Sequence, residues 1–183
     1  MFPDKTVPPE LQGVLRPEPR PLQTFKLRDQ YRQVFDLERL KGKWSFVFFG
    51  YTYCPDICPT TLSTLSGVVK QLQTDTQGLS NIQVVFVSVD SRRDTPDVLK
   101  SYLEYFNEAF LGVTGVQQDI DRLIHQFGAA YMIEPETTPG HYLINHTSSI
   151  FLVNPYGQLV AAFSTPHDVD TIVEQFREIR SFF

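Results

Sequence analysis

Cysteine is scarce in this chain: Cys54 and Cys58 are the only two among 183 residues. That excludes a disulfide-stapled mini-domain, and two thiolates fall short of the four Cys or His ligands that a structural zinc site takes. Basic clusters are missing as well. A formal charge of −5 with no run of Lys or Arg leaves no electrostatic footprint for nucleic acid, so the expected partner is a protein or an ion. No apolar run approaches the roughly 18–20 residues of a membrane span, and the N-terminus has no basic-then-apolar leader, so the polypeptide as it stands reads as soluble. One cysteine pair does not decide the compartment, being compatible with a disulfide outside the cytosol or a dithiol inside it.

Proline is unevenly placed. Six of the thirteen (Pro3, Pro8, Pro9, Pro17, Pro19 and Pro21) fall at the start, in a stretch without hydrophobic period. Residues 1–23 are therefore expected to be an extended linker or tail leading from an upstream anchor, and 24–183 to be one folded domain. From Phe25 short extended pieces begin, around FKL and YRQVF, followed by the apolar run Trp44 to Gly50, which is too short for a helix and reads as a buried strand. Beyond Pro59, Leu62, Leu65, Val68, Val69 and Leu72 recur at helical spacing. Ile82 to Asp90 repeats the strand pattern, and Thr95-Pro96 supplies the cap and first turn of a second helix. A shorter helix carries Ile120, Leu123, Ile124 and Phe127. Strands are expected near YMIE and HYLINH, then a hairpin turning at Asn154 to Gly157, then a helix burying Val169, Ile172, Val173, Phe176 and Ile179. This order describes an α/β chain of thioredoxin-like fold with extra N-terminal strands and a C-terminal β-hairpin plus helix, an analogy that by itself carries no function.

The cysteines occupy "GYTYCPDICPTT" (50–61), between a strand and a helix. Pro59 restricts Cys58 to extended backbone and suits the first helical position, which places Cys58 at or beside the helix N-cap, where the dipole favours a thiolate. With three residues between them, the two sulfurs can reach each other or one ion, and spacing does not choose. A metal requires a third donor. Of the four histidines, His125 sits on a helix and His167 in a polar turn, both suited to surface or packing roles, leaving His141 and His146. His146 directly precedes the hairpin strand that a thioredoxin-like sheet lays beside the cysteine strand, and is the better candidate. Two thiolates and an imidazole make a soft, low-coordinate site suited to Cu(I) and, with a further weak ligand, to Cu(II). An exposed loop would let such a site release its ion.

Three motifs carry a resemblance: FGYTYCPDICPTTL, VSVDSRRDTPDVLKSYL and NHTSSIFLVNPYGQL. Together they resemble the SCO/SenC copper proteins associated with cytochrome c oxidase assembly, across nearly all of the chain from about Phe25. The resemblance implies copper ligation by Cys54, Cys58 and His146, and a role in metallating the CuA centre of oxidase subunit II, by copper delivery, by reduction of the target's cysteines, or both. It also implies a membrane-tethered protein facing the periplasm or the mitochondrial intermembrane space, with another periplasmic copper chaperone as a further partner. Asp90 matches an acidic position near the family's site, where a carboxylate can orient a ligand; a solvated turn-capping Asp is the plainer alternative. Asn145 stands where Asp is frequent before the histidine, Tyr53 where His is common before the first cysteine, and Ser91 where Pro is usual. A competing function is a thiol-disulfide reductase in which Cys54 attacks and Cys58 resolves. A peroxidase ranks third, since the second cysteine lies too near to be a distant resolving residue.

Overall fold

A computed structural model describes residues 6–75 and 81–183. Its main sheet has eight strands. In chain order these are β1 (Leu15–Pro21), β2 (Lys26–Asp29), β3 (Val34–Asp36), β4 (Trp44–Gly50), β5 (Ile82–Ser88), β6 (Leu111–Thr114), β9 (Ile150–Val153) and β10 (Gln158–Phe163). They lie side by side as β1-β10-β9-β4-β5-β6-β2-β3, with β7 (Tyr131–Ile133) and β8 (Ile144–His146) forming a separate two-stranded ribbon. β4, β5 and β6 run parallel, and the two connections between them carry helices α1 (Ile57–Gln73) and α2 (Pro96–Glu104). Helices α3 (Gln117–Phe127) and α4 (Val169–Arg180) complete the thioredoxin-like α/β architecture.

All seven residues of β4 are buried because both faces of the sheet are covered. Side chains alternate along the strand: Trp44 and Phe46 pack on Phe176 of α4, with ring centroids 5.5 and 5.3 Å away, while Phe49 meets Phe127 of α3 at 5.2 Å. The C-terminal end of this rigid central strand feeds directly into the cysteine loop. On its other side β9 pairs antiparallel with β4, Val47 opposite Phe151, so the segment before β9 is brought to the same end of the sheet. That is the topology expected for His146.

The Pro-rich start departs from the linker expectation. Residues 1–5 lie outside the described residues, but Leu15–Pro21 is an edge strand of the main sheet, pairing antiparallel with β10 through Leu15 and Ala161 and through Pro21 and Gln158. Leu11, Leu15 and Leu22 are buried. Proline is compatible with an edge strand, where half of the N–H groups face solvent and need no partner, and a register shift between Leu15 and Arg20 absorbs the Pro-Glu-Pro run. The folded unit thus begins earlier than residue 24.

The thiol and imidazole cluster

α1 begins at Ile57, two residues before the predicted start, so Cys58 lies inside the first turn and Pro59 is the third helical residue. Proline is tolerated there because the first four N–H groups of a helix have no intrahelical acceptor. Cys54 sits in the preceding turn, its N–H bonded to the Tyr51 carbonyl at 3.2 Å. Close approach at the strand end is made possible by Gly50: a β-carbon built there would stand 2.8 Å from Cys58 Sγ and 2.8 Å from Phe86 Cε2. The Cys58 sulfur therefore occupies space next to β4 that any larger residue would fill.

His146 arrives on β8, where it pairs across the ribbon with Tyr131. Its Nδ1 lies 3.0 Å from the Thr147 carbonyl, an obligate acceptor, so Nδ1–H donates there and Nε2 is the ring nitrogen turned toward the sulfurs. Nε2 is 3.3 Å from Cys58 Sγ. Phe48 and Tyr51 set their rings edge-on to the imidazole, at 5.8 and 5.9 Å between centroids, and fix its orientation. One donor atom from each of Cys54, Cys58 and His146 lies within 4.8 Å of the others. The spacing suits three bonds to one soft ion.

Both cysteines are free thiols, and they are less open than a surface loop suggested: Cys54 is 7% exposed and Cys58 0%. His146, half-buried, provides the more accessible side of the cluster. The two sulfurs share a proton unequally. The Cys58 thiol donates toward Cys54 and holds it well below the usual thiol range against the opposing effect of burial, with the His146 ring and the N–H groups of Cys58 and Asp56 adding to the effect. Cys58 is pushed far up, first by that same hydrogen bond and then by its burial. The thiolate is therefore favoured at Cys54, chiefly by the Cys58 hydrogen bond, whereas the helix start read from the sequence places it at Cys58.

The SCO1/SenC family model matches residues 15–181. The chain belongs to this family. Among its relatives, a Stutzerimonas stutzeri protein is 39% identical over 86% of this chain and 76% of its own length. Mitochondrial SCO2 of Saccharomyces cerevisiae is 36% identical over 84% of this chain, which spans only 51% of that protein. The copper-bound crystal structure of yeast Sco1 superimposes with a TM-score of 0.83 at 32% identity, covering 90% of this chain and 91% of that one.

The remaining predicted residues of this SCO1/SenC chain fall into place unequally. Asp90 is buried and does not bond to the sulfurs or the imidazole; it accepts from the Tyr142 hydroxyl at 2.6 Å and pairs with Arg93. Asn145 projects from the opposite side of β8 to His146, as strand alternation requires, and its amide donates to Glu134 at 2.8 Å. Its side chain is therefore engaged away from the imidazole. Tyr53 is 58% exposed and lies beneath Arg93, 4.6 Å from ring centroid to guanidinium. His125 and His141 are exposed, and His167 bonds to the Phe163 carbonyl at 3.1 Å, so none of the three joins the cluster.

Sequence reasoning missed three contributors. Tyr51, 2% exposed, accepts the Ile144 N–H at 3.1 Å and so links the cysteine strand to the histidine strand. Asp94, buried, accepts from the Thr52 N–H at 3.0 Å, the Thr52 hydroxyl and Ser88, and pins the loop just before Cys54. Arg93, the residue before Asp94, is the third, its guanidinium 5.6 Å from the Tyr51 ring centroid. The only available signal was composition, since a Tyr-rich CPxxCP loop and an Asp-Ser-Arg-Arg-Asp turn are each polar enough to need partners if buried.

Proposed function

We propose that this chain is a copper-binding metallochaperone that assists assembly of the CuA centre of cytochrome c oxidase, taking copper as cargo on Cys54, Cys58 and His146. The observation that carries the reading is the convergence of two sulfurs and an imidazole nitrogen within 4.8 Å. Two thiolates and one imidazole satisfy Cu(I) with three bonds, and a weak fourth donor suits Cu(II). Membership of the SCO1/SenC family and likeness to copper-bound yeast Sco1 support it. The cargo leaves by ligand exchange at the half-buried His146 side, because both sulfurs are enclosed. The recipient is the CuA domain of oxidase subunit II, and a second copper chaperone supplies the ion. The site of action is the periplasm or the mitochondrial intermembrane space, with the full-length protein membrane-anchored. No helix among the described residues is long and apolar enough to cross a membrane.

Addition of Cu(II) to the reduced protein tests the reading directly. Thiolate-to-copper charge-transfer bands are expected, and Cys54→Ser with Cys58→Ser abolishes them. Their absence from the wild-type protein contradicts copper ligation by the pair.

A second reading, a thiol-disulfide reductase that keeps the target's cysteines reduced, is favoured by the unequal proton sharing. Cys54 thiolate attacks the target disulfide and forms a mixed disulfide. Cys58, losing its proton, then displaces the second target sulfur. The target leaves as one thiolate and one thiol carrying that proton, while Cys54 and Cys58 are oxidised to a disulfide. Incubating the copper-free reduced protein with an oxidised CuA domain distinguishes the two: reduction of the target supports the reductase, and its absence leaves copper delivery alone.

A further inference from the structure

Beside the thiol and imidazole cluster lies a second assembly with no assigned role. Its centre is Arg93, in the β5–α2 connection, whose side chain is only 12% exposed. The guanidinium lies 3.6 Å from the Tyr142 ring centroid, 4.6 Å from that of Tyr53 and 5.6 Å from that of Tyr51. Its Nε donates to Asp90, 2% exposed, and its Nη1 reaches the Gly140 carbonyl at 3.4 Å. Nη2 is shut from solvent without a hydrogen-bond acceptor, so that N–H is left against the aromatic faces. Asp90 in turn accepts from the Tyr142 hydroxyl.

These contacts join three separate stretches of chain. Tyr51 and Tyr53 lie just before the first cysteine. Asp90 and Arg93 belong to the connection after β5. Gly140 and Tyr142 belong to the loop between β7 and β8, which delivers His146. That ribbon is outside the main sheet, so its pairing with β4 cannot be enforced by the strand ladder. Besides the short link to β9 and the Phe48 and Tyr51 rings edge-on to His146, what ties it to the cysteine strand is the Ile144 N–H bond to Tyr51 together with the stacking around Arg93.

We propose that Arg93 is a positioning residue: paired with Asp90 and stacked among Tyr51, Tyr53 and Tyr142, it clamps the cysteine loop to the His146-bearing strand and preassembles the three donor atoms. The inference rests on the copper reading for its consequence but not for its geometry. A planar guanidinium is required, because an ammonium cannot stack on one ring while keeping a directed bond to Asp90 and another to Gly140. Without the clamp the two sulfurs remain adjacent, on one loop and helix, while the ribbon bearing His146 is held to them less closely. Arg93 thus favours three-coordinate metal binding over the bare dithiol. It also gives Asp90 its role, as the buried counter-charge that keeps the cation in place.

The test uses Arg93→Met, which keeps the aliphatic stem, and Tyr142→Phe, which keeps the ring and removes only the hydroxyl bond to Asp90. Amide hydrogen exchange is read on the reduced, metal-free protein, and Cu(I) affinity by competition with a chelator. In Arg93→Met the Ile144 amide is expected to exchange at least about tenfold faster while β5 amides keep their wild-type rates, and Cu(I) affinity to fall about 10- to 100-fold, the range for loss of a group supporting a ligand. Tyr142→Phe shifts both in the same direction by less. Wild-type exchange at Ile144, an equal rise across β5, or unchanged Cu(I) affinity overturns the proposal. Should Arg93→Met not fold, failure of Tyr142→Phe to loosen Ile144 selectively overturns it. If the wild-type protein takes up no Cu(I), the copper function fails, and the exchange measurement still decides the clamp.

Discussion

Gly50→Ala places one methyl group where the structure has no room for it. The new β-carbon would lie 2.8 Å from Cys58 Sγ, 2.8 Å from Phe86 Cε2 and 3.1 Å from Phe86 Cζ, against ordinary contacts of 3.4–4 Å. Neither neighbour yields easily. Phe86 and Cys58 are both 0% exposed, Phe86 packs on Phe48 and Tyr102 at 6.2 and 5.9 Å, and Cys58 is held in the first turn of α1. Overpacking of this kind costs about 1–3 kcal/mol. For a chain of this size each kcal/mol lowers the thermal midpoint by roughly 2–4 °C, so a fall of roughly 2–12 °C is expected. Relief of the clash also pushes Cys58 Sγ away from β4 and disturbs its 3.3 Å approach to His146 Nε2. The assay is therefore double: thermal unfolding of the metal-free protein, and Cu(I) affinity by chelator competition. Both should decline. A variant with wild-type midpoint and wild-type affinity would refute the claim that Gly50 makes space for the Cys58 sulfur.

Deleting residues 1–21 removes two buried leucines, Leu11 at 0% and Leu15 at 7% exposure, together with the edge strand. At about 1.5–3 kcal/mol for each the loss is roughly 3–6 kcal/mol, an upper figure that urea unfolding can measure; an unchanged midpoint would restore the linker interpretation. Alkylation by iodoacetamide at increasing pH should reveal one thiol, Cys54, already reactive well below the ordinary thiol midpoint of about 8.5, and a single midpoint near that value would contradict the unequal sharing. The linked effect on stability has two signs. Depressed Cys54 adds stability that is complete above about pH 8.5 and is lost as pH falls through its folded value, whereas raised Cys58 withdraws stability as pH climbs above about 8.5. Because one shared hydrogen bond is the first cause of both shifts, either Cys54→Ser or Cys58→Ser should change both sides of the pH–stability curve.

Much of the fold could be read from hydrophobic period. β4 and β5 are apolar runs with β-branched and aromatic residues, α3 buries all four predicted positions, and Thr95 caps α2 by accepting from the Val98 N–H. β6 escaped notice because Leu111–Thr114 is four residues long and includes a glycine, too little for any period to register. β1 escaped because proline density imitates a linker; only its partner β10, more than a hundred residues away, gives it a place. At the site, the constellation of Cys54, Cys58 and His146 was legible because the sulfurs are close in sequence and β9 is forced beside β4. The proton distribution between the sulfurs was not, since it depends on which of them the core encloses. Likewise Arg93, Tyr51 and Tyr142 act through contacts up to 93 residues apart, as between Tyr51 and Ile144, and no local pattern announces them.

The central claim is that three donor atoms hold one copper ion, and the anaerobic Cu(I) titration of the wild-type protein beside His146→Ala tests it most directly. The account predicts about one tightly bound ion per wild-type chain, and in the variant a loss of affinity beyond the roughly 10- to 100-fold that removal of an outlying support costs. Equal affinity in the two proteins would contradict it.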